Sequence, residues 1–259
     1  SDGEPCGECP SCRQFSKLIY PDMHFVFPIT TGSKVADSKG LICDKYLSYW
    51  RDLLLANPFF LENELSEALG FEKKRGQILI AEAYDIIKKL SLSSVSGGYR
   101  SVIIYLPEAM STQTANKLLK TLEEPTDKTI FILITHSPES VLQTISSRCQ
   151  PMRISPLTPS EVSELLQSRF DYSAEDSDSA AAMSGGSIGM AVRELSQSED
   201  VAEIKALVYE LFERLVERDY LASLEVGERI AALESREKQK LFCTFVGNVL
   251  RNVFLIQQG

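Results

Sequence analysis

Two apolar runs flank a segment of helical periodicity, and this arrangement constrains the fold more than any other feature of the chain. The first run is Ser101–Leu106 (Ser-Val-Ile-Ile-Tyr-Leu) and the second is Thr129–Thr135. A strand with so little polar alternation is expected where both of its faces are covered. Between them Ser111 caps a helix whose Ala115, Leu118, Leu119 and Leu122 share one face, and Pro125 stops it. A helix between two strands is the crossover that parallel pairing requires, so the predicted core is a parallel sheet flanked by helices, an α/β fold.

The flanking sequence extends this plan. His24–Pro28 is a short β-prone run closed by a proline, followed by a polar loop over Thr30–Lys39. Lys45–Leu69 reads as two helices broken at Asn57-Pro58, and a third helix is predicted over Ile80–Leu90 before the Gly97-Gly98 turn. The α/β domain is therefore predicted over 1–155. Thr158-Pro159-Ser160-Glu161 then combines an N-cap, a proline at the first helical position and a capping-box glutamate. A small helical domain is predicted over 156–198. From Val201 onward Ile204, Leu207, Val208, Leu211, Phe212 and Leu215 recur at helical spacing without a strand signal, so a third, all-helical domain is predicted over 199–259.

Charge and composition narrow the function classes. The formal net charge is −9 and the pI about 4.9, which argues against wrapping of DNA by this chain itself, because an acidic surface releases no counterions from a phosphate backbone. No run of eighteen apolar residues occurs, so no membrane partner is expected, and the first residues lack the basic and apolar regions of an export signal. Cys6, Cys9 and Cys12 crowd together while Cys43, Cys149 and Cys243 are scattered through apolar surroundings, a usage that fits a reducing compartment. A cytoplasmic location is expected.

The clustered cysteines point to a metal. At this spacing Cys6, Cys9 and Cys12 can place three thiolates around one tetrahedral ion, a donor set that suits Zn2+. Three is one ligand short of a closed structural site, and His24 is a weak fourth because it lies on a predicted strand. Three free surface thiols so close together would oxidise, which disfavours an unliganded cluster.

Three sequence blocks carry a family resemblance. They are Asn116-Lys-Leu-Leu-Lys-Thr-Leu-Glu-Glu-Pro125, the strand ending in Thr135, and Ser147-Arg148-Cys149-Gln150. Together with Pro5-Cys-Gly-Glu-Cys-Pro-Ser-Cys12 they resemble the clamp-loader branch of the AAA+ ATPases, specifically the gamma, tau and delta-prime group of bacteria. The resemblance implies that the cysteine cluster, within about 1–22, is a structural zinc module whose fourth cysteine lies upstream of Ser1. It also implies that the first strand and phosphate loop of the sheet precede this sequence, that 156–198 is a lid, and that 199–259 is an oligomerising collar, shorter than the family's usual one.

The same resemblance assigns roles residue by residue. In family ATPases the strand before the Asn116 helix ends in Asp-Glu, which hold the magnesium water shell and orient the attacking water. Here Pro107-Glu108 stands in that place, and proline offers no side-chain oxygen. The lid arginine that touches nucleotide is replaced by Gly189 in Gly186-Ser187-Ile188-Gly189. Arg148 is retained, and in the family it faces ATP on the adjacent subunit, where a guanidinium stabilises charge on the transferring phosphate. Thr135 stands at the phosphate-sensing position of active relatives, a place equally suited to packing; His136 beside it has no nucleophile for company and is expected to face solvent, and Cys149 is expected as a small buried hydrophobe before a further strand.

Donor chemistry kept and acceptor chemistry lost favour a delta-prime type of subunit. The implied function is that of a non-hydrolysing wall of the loader. It would place Arg148 in a neighbour's ATP site, with gamma or tau and delta subunits as partners and the sliding clamp and primed DNA met through the complex. Two alternatives stand beside it: a gamma- or tau-type ATPase relying on Glu108, and a zinc finger reading DNA, which is weakened because only Arg13 and Lys17 lie near the cysteines.

Overall fold

The computed structural model describes residues 4–30, 41–71, 74–195, 199–233 and 236–258. The predicted loop Thr30–Lys39 lies, apart from Thr30, outside the described residues. The chain forms two compact units, Ser1–Arg153 and Ile154–Gly259.

The first unit is built on the predicted parallel sheet. Strands β1 (Met23–Val26), β2 (Arg100–Tyr105) and β3 (Thr129–Ile134) pair in parallel in the order β1-β2-β3. The register places Phe25 beside Ile103 and Ile103 beside Ile132. Helix α1 (Pro10–Ser16) precedes the sheet, and α2 (Leu47–Ala56), α3 (Glu62–Leu69) and α4 (Ile80–Ser91) fill the crossover from β1 to β2. Helix α5 (Thr112–Glu123) joins β2 to β3, with the Ser111 hydroxyl accepting from the Thr114 N–H as its cap. A short α6 (Gln143–Ser146) follows β3.

The central strand behaves as its composition predicts: Val102 and Ile104 are fully buried. Trp50 of α2 stacks on Phe27 at a centroid distance of 4.5 Å, and Tyr105 and Phe60 complete the aromatic cluster around it. Ala83, Ile86 and Leu90 of α4 and Ala115 and Leu118 of α5 join the same core. Two expectations fail at the far side of the sheet. Ile130, Ile132 and Ile134 of β3 are 46%, 45% and 41% exposed, because β3 is the last strand of the described sheet and only the Phe131/Leu133 face meets the core. The further strand expected after Cys149 is not formed: 150–156 is irregular and exposed, with no described neighbour for it to pair with.

Two buried ionisable side chains brace the first unit. Arg100 donates to the carbonyls of Leu90 and Leu92 at 2.8 and 2.7 Å and to the Thr126 hydroxyl at 2.7 Å, so it caps the end of α4 and ties it to the turn before β3. Glu82, 2% exposed, accepts the Cys43 N–H, and its burial pushes the carboxyl pKa up to about 7.

The second unit is helical throughout. Helix α7 (Pro159–Phe170) begins with the predicted capping box, the Thr158 hydroxyl accepting from the Glu161 N–H while the Glu161 carboxylate accepts from the Thr158 N–H. Helices α8 (Ala174–Met183) and α9 (Ile188–Leu195) pack on α7. The α8–α9 connection needs Gly186: its φ is +84°, and a Cβ there would lie 2.4 Å from the Leu157 carbonyl oxygen. Helices α10 (Glu199–Glu217), α11 (Tyr220–Ala231) and α12 (Arg236–Gln258) share a core that includes Ile204, Leu207, Val208, Val226 and Phe245. Asn248 of α12 donates to the Met183 carbonyl at 2.6 Å, joining α12 to the end of α8.

Candidate functional site

Arg148 follows α6, whose Ile145 is buried in the sheet core and whose Leu142 packs against it. The Arg148 N–H donates to the Ile145 carbonyl at 3.0 Å, so the backbone that carries this side chain is rooted in the fold. Its guanidinium is held by two segments. Nε donates to Glu123 Oε1 at the end of α5 and Nη2 is ion-paired with the same oxygen, while Nη1 donates to the Thr144 carbonyl at 2.8 Å and to the Ser147 hydroxyl at 3.3 Å. The Arg148 side chain remains 30% exposed and that of Glu123 45%. Such an ion pair is what any arginine beyond a helix end can form, and it is equally what would hold an arginine in place for a partner.

Pro107 and Glu108 lie where β2 ends. Leu106 adopts a left-handed conformation, φ 56° and ψ 61°, unusual for a branched residue, and starts a single 3-10 turn over Pro107–Ala109. Pro107 is buried, and Glu108 is half-buried with Oε2 out of solvent and without a hydrogen-bond partner among the described residues. Burial, with Glu62 and Glu108 nearby, raises the pKa of the Tyr105 hydroxyl. That hydroxyl lies 3.3 Å from His136 Nε2, and His136 is exposed as expected. Thr135 Oγ1 accepts the Ser137 N–H at 3.0 Å and so shapes the turn after β3.

Gly189 is buried in the first turn of α9, in the second unit. Cys149 is half-buried against the core, and burial raises its thiol pKa, in keeping with a packing role.

The cysteine module brings its three sulfurs together. All ligand atoms of Cys6, Cys9 and Cys12 lie within 4.8 Å of one another, and no fourth ligand joins them among the described residues. A Zn–S bond of about 2.3 Å sets a tetrahedral S···S edge near 3.8 Å, and the Cys6–Cys12 separation is 3.8 Å. Backbone N–H groups of Cys9 and Cys12 donate to the sulfurs of Cys6 and Cys9 at 3.4 Å each. Hydrogen bonding from the Cys9 and Glu8 backbone lowers the Cys6 pKa to about 7, while side-chain hydrogen bonding with Cys9 raises that of Cys12. The donor set therefore fits zinc.

Glu123 is the site residue that sequence reasoning misses. It stands inside the Asn116–Pro125 block, but 25 residues separate it from Arg148, and only the fold brings the two together.

The protein family described as DNA polymerase III, delta subunit, matches residues 1–158. DNA polymerase III subunit delta' of Bacillus subtilis is 27% identical over 257 residues, which cover 99% of this chain and 64% of that relative. The subunit of the same name from Pseudomonas aeruginosa is 33% identical over 219 residues, 84% of this chain and 53% of its own length. The chain thus spans about half to two thirds of these relatives. Human replication factor C subunit 5 is 32% identical over 117 residues, 45% of this chain and 31% of its own length. A solved gamma subunit-related protein of Thermotoga maritima is 21% identical, covers 91% of this chain and 77% of its own, and superposes with a TM-score of 0.33, too low to bear on the fold. With the family matched over more than half of its length, the chain belongs to the DNA polymerase III delta-subunit family of clamp-loader proteins, on its delta-prime branch.

Proposed function

We propose that this chain is the delta-prime subunit of a bacterial sliding-clamp loader, acting in DNA replication without hydrolysing ATP itself. Its Arg148 acts in trans on ATP held by the neighbouring subunit. The observation that carries this reading is the pairing of Pro107, buried and without a side-chain oxygen where the family holds magnesium, with an Arg148 mounted on a rooted turn. Metal positioning for phosphoryl transfer is then poor in cis, while a guanidinium remains for export.

The remaining assignments follow from that one. Gamma or tau and delta subunits are the partners, and the sliding clamp and primed DNA are met through the assembly. Residues 156–198 act as the lid, where Gly189 leaves no charge for nucleotide, and 199–259 act as the collar. Cys6, Cys9 and Cys12 hold Zn2+, which cross-links the module's short turns and supplies no chemistry to the reaction. A cytoplasmic setting suits these roles; among the described residues no helix is long and apolar enough to cross a membrane.

One observation favours the competing motor-subunit reading: Glu108 keeps a buried carboxylate oxygen without a partner, as a water-orienting group would. The reading is tested by Arg148→Ala in the full-length protein assembled with its loader partners. Clamp-stimulated ATP turnover and clamp loading are expected to fall while the complex still assembles. Unchanged turnover would sink the trans role.

A further inference from the structure

Resting on the proposed trans role of Arg148, we infer that Glu123 is its positioning residue: the carboxylate at the end of α5 fixes the guanidinium so that its end-on edge is presented to the neighbour's phosphate. A guanidinium has five N–H donors. Nε donates to Glu123 Oε1, Nη2 is ion-paired with the same oxygen, and Nη1 contacts the Thr144 carbonyl and the Ser147 hydroxyl. Among the described residues no other acceptor meets Nη2. Because the group is planar, pairing through Nε and Nη2 commits the side-on edge to Glu123, and the remaining Nη2 N–H lies on the end-on edge. The longest contact of the set is the 3.3 Å from Nη1 to the Ser147 hydroxyl. A phosphate oxygen can take the end-on edge while the carboxylate stays bound behind.

Both anchors are fixed by the core. Helix α5 is seated through fully buried Ala115 and Leu118, and α6 through Ile145 at 1% exposure. An ion pair as exposed as this one adds little to stability, so the fold has little need of Glu123. Orientation is what it adds. An arginine with several rotatable bonds loses less freedom on meeting its phosphate when one edge is already held, and misplacement by about 1 Å at a reacting centre costs on the order of a hundredfold in rate.

The test uses the full-length protein assembled with its loader partners, ATP as the probe, and four variants: Arg148→Ala, Glu123→Ala, Glu123→Gln and the Arg148→Ala/Glu123→Ala double. Glu123→Ala is expected to lower kcat about tenfold or more, with KM for ATP held within about twofold, since the anchor acts on the transferring phosphate and not on ATP binding. Glu123→Gln, whose amide oxygen still accepts from Nε and Nη2, should recover most of that loss. The double variant should be no slower than Arg148→Ala alone. If Glu123→Ala leaves kcat unchanged or raises it while Arg148→Ala lowers it, the positioning role is overturned and the trans role stands. If Arg148→Ala itself has no effect, both fall. A Glu123→Ala loss that appears in KM, or that adds in full to the Arg148→Ala loss, marks structural damage and also overturns the inference.

Discussion

Replacing Glu82 by glutamine should change how stability depends on pH, and the size of the change follows from the environment of the carboxyl. Glu82 is 2% exposed, and burial raises its pKa from 4.5 to about 7 against the opposing hydrogen bonds from Cys43. Below pH 4.5 the carboxyl is protonated in both folded and unfolded chains and imposes no penalty. Between pH 4.5 and 7 the unfolded chain releases the proton while the fold retains it, so stability falls as pH rises, and above about 7 the loss is complete. At roughly 1.4 kcal/mol per pKa unit, the full loss is on the order of 3 kcal/mol. Glutamine still offers an oxygen to the Cys43 N–H but has no proton to release. Its NH2 group adds a donor of its own, an offset that does not vary with pH. The quantity to read is therefore the difference between Glu82→Gln and the parent protein across pH 5 to 8. Trp50, the only tryptophan, is 3% exposed and stacked on Phe27 in the same core, so its fluorescence during urea unfolding reports on this unit. The variant should gain on the parent from pH 5 to about pH 7 and level off toward pH 8. A difference that stays flat over that range refutes the assignment of a proton to the buried carboxyl.

Three further outcomes are expected. Arg100→Leu removes the donors to Leu90, Leu92 and Thr126 and leaves the buried Leu90 carbonyl without this partner; a loss of about 2 kcal/mol should register in the same urea titration, and a loss near zero would contradict the bracing role. Gly186→Ala forces a Cβ to within 2.4 Å of the Leu157 carbonyl oxygen at a φ of +84°, so the helical signal of the second unit should melt earlier, by about 2 kcal/mol or more. The full-length protein should carry one equivalent of zinc, and Cys9→Ser should lose it faster to a chelator and weaken the thiolate-to-metal absorption of the cadmium form; identical metal retention would remove Cys9 from the ligand set.

How much of this was legible in the sequence follows from the range over which each signal acts. Helices α4, α5 and α7 are set by periodicity and by caps a few residues away, and Ser111 and Thr158 cap as read. The central position of β2 shows in its unbroken apolar run, because a strand covered on both faces tolerates no polar alternation. The same reasoning misleads at β3, where an equally apolar run has a bare face, since composition does not register which neighbours a strand has. The burial of Arg100 and Glu82 is not legible locally, because it depends on partners distant in sequence: ten residues away for the Leu90 carbonyl and 39 for the Cys43 N–H. In the candidate site the cysteine spacing is local and was readable, whereas the hold of Glu123 on Arg148 exists only through the packing of α5 and α6.

The central claim is that Pro107 leaves this chain without a hydrolytic site of its own while Arg148 serves another. Its most direct test is ATP turnover by the full-length protein purified alone, compared with a protein-free blank. Turnover at the level of the blank is predicted, because the side chain that would seat magnesium is a proline ring. Sustained turnover of about one per second, typical of a working phosphoryl-transfer enzyme, would contradict the account and assign the catalytic role to Glu108.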